Sequence, residues 1–223
     1  MPQNTNDVFA TSYDAFLFDL DGTLINSILA AERVWSRWAE KHGLDVEAFL
    51  PTMHGKRGID TIRGLALPGV DPLAEAADVE RGEIEDVEGV VTIEGAAAFL
   101  SSLPPSRWTI VTSSPINLAK ARLGAVGLTL PSGSVTAEDV TVGKPDPSGY
   151  RLGASRLGFD PSRCLVFEDV PAGVQAGKAA GADVMVITST HQHEHALGEP
   201  SIIDYREISA TTDEDGRLRL VRR

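Results

Sequence analysis

The chain has 223 residues, 42% of them hydrophobic, which suits one generous domain or a main domain carrying a smaller one, and leaves little room for disorder. Acidic residues number 32 against 20 basic ones, and the net charge of −12 sets the field of the molecule against nucleic acid and anionic membranes. A small anionic ligand remains compatible, because a local group of lysine, backbone N–H groups and a metal outweighs distant charge. The lone cysteine, Cys164, lies in the apolar run "CLVFE" and reads as a small buried side chain, so no disulfide forms within the chain. The start "MPQNTNDVFA" has neither the basic opening nor the apolar centre of a secretion signal, and no stretch approaches the roughly 18 apolar residues of a membrane span. A cytoplasmic location is the expectation.

In chain order, the first predicted strand is Tyr13–Asp19, a short apolar run. "SILAAERVWSRWAEKHG" then repeats apolar residues at helical spacing and stops at Gly43. From about Ser27 to Glu88 the pattern holds helices and turns such as "LPGVDP" but no convincing strand, and it is too long for a simple strand-to-helix connection. We read residues 27–88 as an inserted helical domain and residues 1–26 with 89–223 as the main one, with hinges near Asn26–Ser27 and Val87–Ile93. "EGAAAFLSSL" is a helix ending before Pro104–Pro105, and Arg107–Thr112 is the second strand. The helix "SGYRLGASRLGF", the strand Arg163–Glu168, the helix "AGVQAGKAAGA" and the strand Asp183–Thr188 follow. Strands alternating with helices predict an α/β fold, a parallel, doubly wound sheet with helices on both faces. "HQHEH" at 191–195 alternates three histidines but has no partner set for a metal and reads as a solvated loop; the tail "DEDGRLRLVRR" reads as peripheral.

Chemistry-bearing residues collect where these strands end. Asp19 and Asp21 in "FLFDLDGTLINS" project to one side as the first strand runs out, at the end of a parallel sheet where ligands bind. Two ionised carboxylates brought together call for a cation or a donor, and a hard divalent metal such as Mg²⁺ is the natural partner. Gly22 lets the backbone turn and present N–H groups to an anion. The second strand ends in Ser113 and Ser114, with Pro115 placed to open a helix, a corner suited to phosphate. Lys144 in "VGKPDPSGY" is a long cation in a proline-stiffened loop, suited to a phosphoryl oxygen. Glu168 and Asp169 close the third strand and are plausible metal ligands. Taken alone, "DLDG" reads about as well as a turn or cap, the serine corner reads better as an ordinary N-cap, and an isolated lysine reads far more commonly as a solvated surface residue; together, in this order, they do not read as coincidence.

The set "DLDGT", Ser113 of "VTSSP", Lys144 of "GKPDP" and "EDVPAG" resembles the haloacid dehalogenase superfamily, over nearly the whole chain. "HGKRGIDTI" and "FEDVPAGVQAGKAAG" are similar to stretches of its sugar-phosphate and polyol-phosphate phosphatases. The resemblance implies a Rossmann-like core with a helical cap inserted after the first strand. It implies Asp19 as nucleophile, forming an aspartyl-phosphate, and Asp21 as general acid–base. It further implies Mg²⁺ held by the Asp19 carboxylate, the Asp21 main-chain carbonyl and Asp169, with Glu168 in or beside that set. Lys144, Ser113 and the N–H groups of Gly22 and Ser114 would hold the phosphoryl group. Substrate choice would lie with the cap, where His54, Lys56, Arg57 and Asp60 offer donors and acceptors to a polyhydroxylated leaving group. The expected ligand is a small sugar or polyol phosphate, and nothing demands more than a monomer. A β-phosphoglucomutase-type isomerase shares the core residues, but this chain has Ala31 where those mutases have a histidine, and Gly58 rather than Arg57 would align with their cap arginine. A non-catalytic binder on the same fold is the reading from another class, and a degenerate member would have lost one of Asp19, Asp21, Lys144 or Asp169. Asn26 departs from the aspartate common in relatives and bears on the hinge.

Overall fold

Four apolar runs lie side by side at the centre of the structure, a computed structural model that describes residues 7–190 and 198–223. The strands, in chain order, are β1 (Ser12–Tyr13), β2 (Ala15–Phe18), β3 (Ile25–Asn26), β4 (Val91–Thr92), β5 (Trp108–Ile110), β6 (Cys164–Glu168), β7 (Asp183–Ile187), β8 (Ser201–Ile202), β9 (Ile208–Thr212) and β10 (Leu218–Arg222). The helices are α1 (Ile28–Lys41), α2 (Val46–Phe49), α3 (Gly58–Leu65), α4 (Pro72–Glu85), α5 (Ala96–Ser102), α6 (Ile116–Ala125), α7 (Ser148–Leu157) and α8 (Pro171–Ala180). The main sheet runs β5-β2-β6-β7-β8 with every pairing parallel.

Alternation along β2 sends Phe16 and Phe18 to one face and Ala15 and Leu17 to the other, and each face buries its own cluster. The first is aromatic: Phe18 stacks on Phe167 at 4.6 Å, with Phe99 of α5 and Tyr205 beside them. The second packs Leu17 and Val166 against Tyr150 and Ala154 of α7 and Val174 of α8. Helices therefore cover both faces, the doubly wound α/β arrangement that alternating strands and helices predict.

Two segments differ from the sequence expectation. The first strand is divided at Asp14, whose N–H donates to the Arg163 carbonyl and whose carboxylate pairs with Arg163 at 2.6 Å. Residues before it turn to another sheet. The tail is no peripheral extension, because β10 pairs with β9 and β1 in a three-stranded antiparallel sheet. Leu218 and Leu220 enter the aromatic cluster while Arg219 faces out. The alternation in "RLRLVR" is a strand signal that the flanking charges obscure.

Between β3 and β4 the chain is helical, and these helices enclose a separate cluster that includes Val34, Trp35, Trp38, Phe49, Ile62 and Val79. Asp45 caps α2 by accepting from the Ala48 N–H; Asp71 accepts from Leu73 N–H at the start of α4, where Pro72 takes the first helical position. The ends of the segment meet in a short antiparallel ribbon, Ile25 opposite Thr92 and Asn26 opposite Val91. Among the described residues no helix is long and apolar enough to cross a membrane.

Glu75 of α4 ties this helical layer to α1, accepting from Trp38 Nε1 at 2.9 Å and Lys41 Nζ at 3.0 Å and facing His42 Nε2 at 3.2 Å. The Lys41 hydrogen bond, ahead of those from His42 and Trp38, draws the Glu75 carboxyl down to about 2. A carboxyl lowered by folding adds stability above its unfolded value, and that contribution is lost as pH falls through the folded one. Between about pH 4.5 and 2 the wild-type protein should lose more stability than Glu75→Gln, as read by urea unfolding at stepped pH. Parallel losses in both would show that the contact carries no pH-dependent stability.

Candidate active site

The carboxyl ends of β2, β5 and β6 converge, and the residues that follow them form one wall of a cavity of about 760 Å³, a volume suited to a small organic ligand. Asp19, Asp21 and Asp169 lie on this wall with Thr112, Ser113 and Ser114; His54, Lys56, Glu32 and Glu83 come from the helical segment opposite.

Asp19 follows β2 directly, its N–H donating to the Phe167 carbonyl, so its backbone continues the sheet. Lys144 Nζ lies 2.5 Å from Asp19 Oδ1 and 2.5 Å from Glu168 Oε1, with little solvent access. Glu168 is fully buried and also accepts from Tyr150 Oη at 2.6 Å and from the Asp169 N–H at 3.0 Å. Asp169 accepts from Thr23 Oγ1 at 3.2 Å. Two glycines make the close packing possible. A Cβ on Gly22, which has φ of 93°, would fall 1.9 Å from Asp169 Oδ2, and one on Gly173 would fall 1.8 Å from Glu168 Oε1.

Asp19, Glu168 and Asp169 offer oxygens that all lie within 4.8 Å of one another. Burial pushes the carboxyls of Asp19 and Asp169 up, mutual repulsion within the group adds to this, and Lys144 opposes it. Burial also works against the Lys144 charge, yet Asp19 and Glu168 outweigh it and hold the ammonium above its ordinary value. With all three carboxyls ionised, one ammonium would leave negative charge unbalanced, which is one reason that Asp19 and Asp169 resist ionising without a further cation. A set of hard oxygen donors with that surplus fits a divalent cation such as Mg²⁺.

The Asp21 side chain stands apart from this trio. Its Oδ1 accepts from Ser27 Oγ at 2.7 Å and pairs with Arg122 at 2.9 Å, and its Oδ2 accepts from Ser114 Oγ at 2.8 Å. The two aspartates of "DLDG" thus face different neighbours.

Several expected anion donors are committed within the chain. The Gly22 N–H donates to the Ile25 carbonyl at 2.7 Å and the Ser114 N–H to Thr112 Oγ1 at 3.0 Å. Ser113 Oγ donates to the Gly55 carbonyl at 3.0 Å, tying the strand end to the helical segment. The first N–H of α6, on Ile116, meets the Glu138 carboxylate. Arg57 pairs with Asp60 and donates to the Val140 and Thr141 carbonyls, so it clamps the helical segment to the Lys144 loop and does not line the large cavity. His54 does line it, with Nε2 3.2 Å from Glu32 Oε1, and Lys56 lies exposed along it. The histidines at 191–195 lie outside the described residues; Thr190, just before them, lines the cavity and donates to the Gly22 carbonyl at 3.3 Å.

Thr112, Glu32, Glu83 and Arg122 escaped the sequence reading. Arg122 carried a legible signal, since it falls on the face of α6 that buries Leu118, Ala119 and Leu123. A cation at a core-facing helical position needs a partner.

A family model for the haloacid dehalogenase-like hydrolases matches residues 13–181, and the chain belongs to that family of hydrolases. It is 45% identical over 178 residues to hexitol phosphatase A of Escherichia coli (strain K12), covering 78% of this chain and 82% of that protein. It is 38% identical over 200 residues to validoxylamine A 7'-phosphate phosphatase of Streptomyces hygroscopicus subsp. limoneus, covering 86% of this chain and 92% of the relative. Among solved structures, a HAD hydrolase of family IA, variant 3, from Entamoeba histolytica HM-1:IMSS superposes with a TM-score of 0.76 at 22% identity, over 88% of this chain and 95% of the other, and so shares its fold.

Proposed function

We propose that the protein is a Mg²⁺-dependent phosphatase of small sugar or polyol phosphates that works through an aspartyl-phosphate on Asp19. The observation that carries this reading is the separation of the two aspartates. Asp19 sits in the buried carboxylate–lysine cluster, whereas Asp21, next but one in the chain, is held by hydroxyls and a guanidinium on the same cavity wall. Relatives that hydrolyse phosphate esters of polyols or related compounds support it.

In this reading an Asp19 oxygen attacks phosphorus in line while the bond to the ester oxygen breaks, and Asp21 gives its proton to that oxygen as the alcohol leaves. Asp21, now a carboxylate, takes a proton from the water that attacks the aspartyl-phosphate, which frees phosphate, restores Asp19 and returns the proton to Asp21. A sugar alkoxide is strongly basic, so the first step needs that proton. Lys144 holds Asp19 in place and offsets its charge, and Ser113, Ser114 and Gly22 shape the corner that receives the phosphoryl oxygens. The Asp19 carboxylate, the Asp21 main-chain carbonyl and Asp169, with Glu168 behind them, would hold Mg²⁺, which when bound supplies positive charge against the repulsion between nucleophile and phosphate.

Residues 1–26 and 89–223 then form the catalytic core and residues 27–88 the cap that admits the leaving group. The separate hydrophobic cluster of the helical segment and the pairing of its two junctions support that division. His54 and Lys56, on the cap wall, would meet the hydroxyls; Arg57, clamped to carbonyls, would act through the seating of that wall. The protein is read as a monomer acting on a dissolved substrate in the cytoplasm.

Purified protein with Mg²⁺ should release phosphate from members of a panel of glycerol, hexitol, hexose and deoxyhexose phosphates, and EDTA should stop it. No release from any member would overturn the reading. Conversion of β-glucose 1-phosphate to the 6-phosphate without phosphate release would replace it with a mutase.

A further inference from the structure

Arg122 is a guanidinium only 4% exposed, and it joins two parts of the molecule. One Nη lies 2.9 Å from Asp21 Oδ1, and the other 2.8 Å from Glu83 Oε1. The first also reaches Ser114 Oγ at 3.4 Å, the hydroxyl that donates to the second oxygen of Asp21. Arg122 therefore acts on the Asp21 carboxylate directly and through Ser114. Glu83 belongs to α4 in the helical segment, while Arg122 belongs to α6 beside the sheet. All this is built at the cavity, which Asp21, Glu83 and Arg122 line together.

Stability alone is a weak reason for this arrangement. Burying an arginine between two carboxylates costs desolvation that the mutual attraction offsets only in good geometry, and apolar side chains of the same volume commonly do as well. A position requirement is the better account. The guanidinium is a rigid planar fork, so engaging Glu83 with one arm fixes the direction in which the other presents itself to Asp21. Lysine, a single point charge, lacks that linkage.

We infer that Arg122 is a positioning residue that sets the Asp21 carboxylate against the leaving-group oxygen, and that Glu83 makes this setting depend on α4 being seated against α6. The inference rests on the reading of Asp21 as the proton donor of a phosphatase and adds the residues that aim it.

Leaving-group dependence separates aiming from general support of the fold. A polyol oxygen must be protonated as it departs, whereas p-nitrophenolate leaves without a proton. With enzyme in excess over substrate and Mg²⁺ present, rapid quench times the first displacement alone. Arg122→Lys should slow the first turnover of a hexitol or glycerol phosphate by about 100-fold and that of p-nitrophenyl phosphate by less than about five-fold. Glu83→Gln, which keeps shape and leaves Arg122 on Asp21, should show the same split at about ten-fold, and it carries the test if Arg122→Lys does not fold. Equal losses on both substrates, or no loss on either, would overturn the inference while leaving the phosphatase reading intact. A wild-type protein inactive on both substrates would overturn that reading and the inference with it.

Discussion

Asp19→Asn should lower phosphate release by about 10⁴-fold or more, the scale on which removal of a nucleophile is felt in an enzyme whose groups act as a unit. Asparagine keeps the shape and can still face Lys144, but its amide does not attack phosphorus to give an acyl phosphate. The substitution also removes one of three buried carboxylates that repel each other. Stability to urea without divalent metal should therefore hold or rise as activity vanishes. That pairing matters. A variant that lost activity by unfolding would lose both together, and one that kept more than a tenth of wild-type turnover would place the nucleophile elsewhere.

Lys144→Met should destabilise the fold by about 3–5 kcal/mol in metal-free buffer at neutral pH, the cost of leaving a buried ion pair with one partner. The lysine is within 2.5 Å of both Asp19 and Glu168, and methionine fills much the same volume without charge. Tyr150 Oη still donates to Glu168, so the glutamate is not stripped of every partner. With the ammonium gone, the buried carboxyls are pushed further up, and groups raised by folding cost stability as pH rises past their unfolded values. The deficit should accordingly be larger at pH 8 than at pH 5. Millimolar Mg²⁺ should restore more stability to the variant than it adds to the wild type, by binding the folded carboxylate cluster. A loss under about 1 kcal/mol at neutral pH, with no response to Mg²⁺, would mean that the cluster is already neutral by protonation.

Both expectations depend on residues whose meeting was legible from the chain. Apolar runs of β-branched and aromatic residues mark Tyr13–Asp19, Arg107–Thr112, Arg163–Glu168 and Asp183–Thr188 as buried strands, which the structure trims to Ala15–Phe18, Trp108–Ile110, Cys164–Glu168 and Asp183–Ile187, and the intervening helical patterns require them to run parallel. In such a sheet the carboxyl ends lie along one edge, so Asp19, Ser113 and Asp169 share that edge, and the strand order β5-β2-β6 makes them neighbours. The helical character of residues 27–88 was equally plain from the spacing of Val34, Trp35 and Trp38. The strand Leu218–Arg222 was written in its alternation, but a strand of five residues among arginines carries a weak signal until its two partners, β9 and β1, are known.

Other features lay beyond local pattern. The pairing of Arg122 with Glu83 and Asp21 joins three stretches of chain through the seating of α4 on α6, and no spacing rule connects them. The direction of Arg57, toward the Val140 and Thr141 carbonyls, depends on where the Lys144 loop passes. The need for glycine at positions 22 and 173 is likewise a matter of carboxylates arriving from a neighbouring strand or turn. The sequence by itself carried the family in its motifs, from "DLDGT" to "EDVPAG", and it determined the order of the strands' chemistry and the collection of carboxylates and lysine at one sheet edge, because periodicity and strand direction are local properties repeated along the chain. Tertiary structure alone decided which donors each carboxylate meets and which arginine reaches it, because hydrogen bonds act over about 3 Å and only the packed chain sets distances on that scale.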